Sequence, residues 1–141
     1  MNHRLVEKGK PLNSMKLKVK SLSEQRMVLT GATSGIGLVT ARMAAAKGVK
    51  LILNARNEED LKQLAKELGE KGSQVVYVAG DVSKEDDVDS IVTKAIESFG
   101  GFDTWVNNAS VALYGHAEDI PIEEARRLFD INFWGAVYGM K

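Results

Sequence analysis

Short apolar runs separated by longer amphipathic stretches constrain this chain more than any other feature. The runs are MVLT (27–30), KLILN (50–54), QVVYV (74–78) and TWVNN (104–108). They are mostly continuous rather than alternating in polarity, the pattern of strands covered on both faces. The stretches between them have helical periodicity. Leu61, Leu64, Ala65 and Leu68 recur at i, i+3, i+4, i+7, and Val88, Ile91, Val92, Ala95, Ile96 and Phe99 keep that spacing over three turns, so each helix carries one buried stripe. Asn57 and Ser83 stand where N-caps are needed, with Asp60 and Asp86 three residues later near the positive end of the helix dipole. Strand, helix, strand repeated in this way means parallel pairing through right-handed crossovers. The expected fold class is α/β, a doubly wound parallel sheet with helices on both faces.

Composition excludes several functions. A chain of 141 residues with 44% hydrophobic and 27% charged residues has the size and make-up of one domain that can bury a core. Its formal net charge is zero, so nothing overall draws it to nucleic acid or to an anionic membrane. The absence of cysteine rules out disulfides, thiolate metal sites and a cysteine nucleophile, and it suits a reducing cytosol, so a cytoplasmic location and no metal are expected. No apolar run approaches the length of a membrane span. The first twenty residues differ: Arg4, Lys8, Lys10, Lys16, Lys18 and Lys20 face Glu7 alone, a net charge of +5. Lysines alternate there with single apolar residues, which is not the plan of a secretory signal. Residues 1–22 are therefore read as a basic, poorly ordered lead-in, solvated rather than bound to an acidic partner, ahead of a domain over 23–141.

The stretch TGATSGIG (30–37) joins the first apolar run to the helix-like LVTARMAAAK. Where a parallel strand turns into the next helix, the first helical N–H groups are unpaired and carry partial positive charge, a ready site for phosphate. In such a turn Gly31 allows the sharp exit from the strand, Gly35 a close backbone approach to a pyrophosphate, and Gly37 the packing of helix on sheet. The spacing is Gly-x-x-x-Gly-x-Gly rather than Gly-x-Gly-x-x-Gly. Taken alone, it is also consistent with a merely tight loop.

Three further stretches sharpen the reading. TGATSGIG resembles the glycine motif of the short-chain dehydrogenase/reductase family, and Asp81-Val82, NNAS (107–110) and DINFWG (130–135) resemble motifs of that family in the same order. The likeness runs from about residue 23 to 141. It implies a Rossmann-like sheet, four strands ordered 3-2-1-4 in this portion, with a dinucleotide held by Gly31, Thr33, Ser34, Gly35, Ile36 and Gly37. It further implies that Asp81 and Val82 hold the adenine, that Asn107, Asn108 and Ala109 lie beside the nicotinamide ribose, and that Asn132 joins a proton relay. One departure is Ser110, where the family has Gly; serine fits only if its φ stays negative.

Cofactor choice is legible in NARN (54–57). An NAD site places a carboxylate at the end of the second strand, to accept from the ribose 2′-OH. None stands at Asn54, Ala55, Arg56 or Asn57, while the Arg56 guanidinium suits a 2′-phosphate, so NADP is expected, with NAD still able to bind. The resemblance implies hydride transfer between NADP(H) and a small carbonyl or alcohol substrate, and an intact protein that forms homo-oligomers. The family's proton donor is a Tyr-x-x-x-Lys pair with a Ser, the Lys lowering the tyrosine pKa. Tyr138-Gly-Met-Lys141 is one residue too short, so Tyr138 is read as a packing residue and the chain as truncated before the catalytic region and inactive alone. His116, a lone histidine in the loop after the fourth run, is read as exposed rather than catalytic. Val111, Leu113 and Tyr114 either line a substrate pocket or pack that loop. The alternative is a non-catalytic dinucleotide-binding or scaffold module ending at Lys141. A sheet ending at TWVNN would leave that strand unpaired on one side and the face bearing Phe129, Phe133 and Trp134 partly uncovered, which weighs against it.

Overall fold

In the computed structural model, which describes residues 19–141, the four apolar runs form one parallel sheet. The strands are β1 (Arg26–Thr30), β2 (Lys50–Ala55), β3 (Val75–Ala79) and β4 (Thr104–Val106), in the order β3-β2-β1-β4. Helices α1 (Gly35–Ala46), α2 (Glu58–Glu70) and α3 (Glu85–Phe99) make the crossovers. After β4 come α4 (Ile122–Phe129), a π-helical turn (Asp130–Trp134) and α5 (Gly135–Tyr138). The fold class and strand order match the sequence-based expectation. Most of the basic lead-in lies outside the described residues; at its end the Lys20 ammonium meets the Asp103 carboxylate at 2.7 Å.

Successive residues of a strand point to opposite faces, and the two cores divide accordingly. Leu29, Leu51 and Leu53 pack against Ala41, Ala44 and Ala45 of α1 and against Leu61, Leu64 and Leu68 of α2. Val28 and Ile52 face the other way, onto Ile91 and Ala95 of α3. The alanines let α1 lie close to the sheet, while Val39 and Met43 point outward. Both helical stripes are buried or half-buried as expected except at Ile96, which is 56% exposed. At roughly 100° per residue, Ile96 sits about 80° round α3 from Val88, on the flank of the stripe.

Two local expectations differ from the structure. Asn57 caps α2 as predicted, its Oδ1 accepting from the N–H groups of Glu59 and Asp60 at 3.0 and 3.3 Å. Ser83 does not cap α3: Lys84 holds the N-cap position, and the Ser83 hydroxyl instead donates to Asp81 Oδ1 at 2.8 Å. The strand expected over 104–108 ends at Val106, because side chains replace the ladder beyond it. The Asn108 and Ala109 N–H groups both donate to Thr30 Oγ1, at 3.1 and 3.0 Å, and Asn107 Oδ1 accepts from the Trp105 indole at 2.8 Å. As foreseen, β4 is an edge strand, and Phe129, Phe133 and Trp134 are 63%, 52% and 46% exposed.

Candidate nucleotide-binding cleft

The cleft lies at the carboxyl ends of the strands, where order reverses between β1 and β4, the place where open α/β sheets bind ligands. Its volume is about 510 Å³, within the range of small-molecule sites. The glycine turn forms its floor. Gly31 has φ +66°, and a Cβ there would lie 2.8 Å from the Ala109 Cα. A Cβ on Gly37 would lie 2.0 Å from the Gly31 carbonyl oxygen and 2.6 Å from the Asn108 amide. Gly37 thus fits the helix against the turn itself and the segment just after β4, a tighter constraint than helix-on-sheet packing. Gly35 is different: its φ is +50°, and the space where a Cβ would stand is open.

That open space faces unpaired donors. Ser34 holds the N-cap position of α1 with an extended backbone, but its side chain makes no capping bond. Its carbonyl accepts from Leu38, at 3.1 Å, and among the described residues the N–H groups of Gly35, Ile36 and Gly37 find no acceptor. Oriented amides at a helix start, without a capping oxygen, attract an anion.

The side toward β4 is braced by Thr30 and Asn108. Asn108 Nδ2 donates to the carbonyls of Thr30 and Gly31, at 3.0 and 3.1 Å. Its side chain is thereby engaged with the glycine turn, and the wall facing the cleft continues through Ala109, Ser110 and Val111. Asn107 points elsewhere, donating to the Ala136 carbonyl at 3.3 Å. No non-glycine residue among those described has positive φ, so Ser110 meets the condition its size imposes. Asn132 sits in the π-helical turn with its side chain bonded twice to the Val111 backbone, accepting from N–H at 2.9 Å and donating to the carbonyl at 2.8 Å.

The opposite side lies between the ends of β2 and β3. Asn54, almost wholly buried, donates to the carbonyls of Val78 and Gly80 at 3.1 and 3.2 Å and closes the seam between those strands. Arg56 lines the rim, exposed, with no ion-pair partner among the described residues. Asp60, Asp81 and Val82 complete this end. Burial opposes ionisation of Asp81, yet hydrogen bonds from the Ser83 N–H and hydroxyl and from Arg127 outweigh it and hold the carboxyl below its ordinary value. Arg127, on α4, went unnoticed in the sequence because nothing local marks it; it lies 46 residues from its partner. Thr30 was missed for the same reason, and its one signal was a polar residue ending an apolar run.

The remaining candidates fall outside the cleft. His116 and Tyr114 are exposed on the loop after β4. Tyr138 stacks on Trp134 with ring centroids 6.2 Å apart, and Lys141 pairs with Glu85 at 2.6 Å, so these two form no acid pair at the cleft. Among the described residues there is no cluster of metal-ligating side chains, and no helix is long and apolar enough to cross a membrane.

A sequence model of the short chain dehydrogenase family matches residues 25–141. The uncharacterized oxidoreductase YxnA of Bacillus subtilis is 55% identical over 140 residues, covering 99% of this chain and 39% of that protein. Among solved structures, L-sorbose reductase from Gluconobacter frateurii complexed with NADPH and L-sorbose aligns with a TM-score of 0.77 and 35% identity, over 81% of this chain and 44% of that one. A short chain dehydrogenase/reductase from Burkholderia phymatum in complex with NAD aligns with a TM-score of 0.83 and 30% identity, over 86% of this chain and 43% of that one. The chain therefore spans less than half the length of these relatives.

Proposed function

The chain belongs to the short-chain dehydrogenase family, and on that premise we propose that it is the dinucleotide-binding portion of an NADP-preferring oxidoreductase acting on a small carbonyl or alcohol. The observation that carries this reading is the uncapped mouth of α1 beneath open space at Gly35, with the Arg56 guanidinium, unpaired among the described residues, at one end of the same cleft. The N–H groups of residues 35–37, with Thr33 and Ser34 beside them, hold the pyrophosphate. Arg56 holds the 2′-phosphate. Asp81 and Val82 hold the adenine, and Ala109 borders the nicotinamide ribose. Asn107 and Asn108 act through the strand end they brace rather than by side-chain contact. Bound there, the cofactor supplies hydride chemistry. The side chain of Asn132 is taken up by Val111, so a part in a proton relay falls to its backbone in the π-helical turn.

The described residues bring no Ser, Tyr and Lys together at the cleft, so the 141-residue chain is expected to bind cofactor without turnover. NAD binding is retained but weaker. Relatives bound to NADPH and to NAD are consistent with a cleft of this shape taking either. The test is Arg56→Ala. A charge-assisted hydrogen bond contributes about 1.5–3 kcal/mol, roughly ten-fold to a hundred-fold in affinity. The variant is expected to lose that much affinity for NADPH, measured by calorimetric titration, and to bind NADH as before. Equal loss of both nucleotides removes Arg56 from this role.

A further inference from the structure

Arg127 makes contacts that the folding of its own helix does not require. No residue of α4 is buried, yet the Arg127 fork reaches the loop after β3, where Nη1 donates to Ser83 Oγ at 2.5 Å and Nη2 donates to Asp81 Oδ2. Asp81 lines the cleft. Its two oxygens are unequally used: Oδ1 accepts from the Ser83 N–H at 3.1 Å and from the Ser83 hydroxyl at 2.8 Å, while among the described residues Oδ2 accepts from Arg127 alone. A carboxylate oxygen has two lone pairs, so Oδ2 keeps one. The neighbouring Val82 N–H finds no acceptor among the described residues. The loop therefore offers one free acceptor beside one free donor.

We propose that Arg127 is a positioning residue that neutralises and aims the Asp81 carboxylate, so that this end of the cleft selects a 6-aminopurine over a 6-oxopurine. The proposal rests on the nucleotide reading above. Adenine presents a donor at its 6-amino group and an acceptor at N1, complementary to Asp81 Oδ2 and the Val82 N–H. Hypoxanthine reverses both, which sets acceptor against acceptor and donor against donor. A base that leaves polar groups of a site unpaired is rejected more strongly than one that merely fits less well. Arg127 has a second effect. Without it, an unpaired carboxylate would face a polyanionic ligand and repel it.

The test is calorimetric titration of the full chain with NADP⁺ and with nicotinamide hypoxanthine dinucleotide phosphate. The wild-type chain is expected to bind the adenine form about ten-fold tighter or more, the effect of one mismatched charge-assisted bond. Arg127→Gln should bring the ratio close to one and weaken NADP⁺ binding about ten-fold. Asp81→Asn should also lower the ratio, and adding Arg127→Gln in that background should change affinity less than about two-fold, because the charge it served is gone. Arg127→Lys keeps the charge but not the fork, and its ratio should lie between wild type and Arg127→Gln; it stands in if the glutamine variant does not fold. Thermal midpoints without nucleotide separate a loss of folding from these ratios. Binding with an unaltered ratio in both Arg127 variants, or the same loss with and without Asp81, overturns the proposal. No saturable uptake of either nucleotide by the wild type overturns the nucleotide reading, and this proposal with it.

Discussion

A methyl group at Gly37 would meet the Gly31 carbonyl at 2.0 Å, whereas one at Gly35 would meet nothing within 4 Å. The two glycines therefore serve different ends. Gly37→Ala forces the helix start away from the turn, and overpacking of this kind costs about 1–3 kcal/mol. Gly35→Ala carries the penalty of a side chain at positive φ, about 1–2 kcal/mol, and also places a methyl where the ligand approaches. Chemical denaturation and NADPH titration should show Gly37→Ala as the more unstable variant, and Gly35→Ala as binding more weakly than its stability loss explains. The reverse assignment contradicts the account. The place of both glycines in the turn and of Arg56 at the cleft rim was legible because those signals are local: a strand, a turn and a helix start in one short stretch. Arg127 on Asp81 and Asn108 on Thr30 were not, because partners 46 and 78 residues apart are joined only by the topology. Asn107 shows the opposite limit: its stretch is recognisable in the sequence, but which way its side chain turns is decided by Trp105 and Ala136.

At the scale of elements, ion pairs tie together helices and strands that are distant in sequence. Arg42 of α1 donates to both oxygens of Glu67 on α2, at 3.2 and 2.8 Å, and Lys71 reaches the same carboxylate at 2.8 Å. Hydrogen bonds from Arg42, then Lys71, lower the Glu67 pKa from its ordinary 4.5 to about 2. Arg26 grips Asp103 with its backbone and side chain while its Nη1 donates to the carbonyls of Phe99 and Gly100 at the end of α3, and Asp103 is likewise held far below its ordinary value. A carboxyl whose folded pKa is depressed stabilises the fold fully above its unfolded value and loses that contribution as pH falls toward the folded one. Thermal midpoints should hold with respect to Glu67 above about pH 4.5 and fall between there and about pH 2. Glu67→Gln should flatten that acid-side fall; an unchanged slope would show that the α1–α2 clasp is not what titrates. The elements themselves were legible from periodicity, and their errors were at the ends. Lys84 rather than Ser83 caps α3 because Asp81 and Arg127 engage the Ser83 hydroxyl, and β4 stops early where Thr30 takes the N–H groups of Asn108 and Ala109.

At the scale of the molecule, β4 is an edge strand of the sheet, and the helical segment that follows it in the chain bears Phe129, Phe133 and Trp134 in the open. An exposed edge beside exposed aromatic rings favours association. Light scattering should report concentration-dependent self-association, reduced by Phe133→Ser combined with Trp134→Ser; a strict monomer at high concentration contradicts this. The cleft carries the account's central claim, that amides at the start of α1 grip a dinucleotide whose extra phosphate lies against Arg56. The most direct measurement is calorimetric titration of the folded chain with NADPH and with NADH. Saturable uptake of one NADPH per chain, with NADH bound about ten-fold more weakly or more, is the predicted result; no saturable uptake of either nucleotide by a folded sample contradicts it.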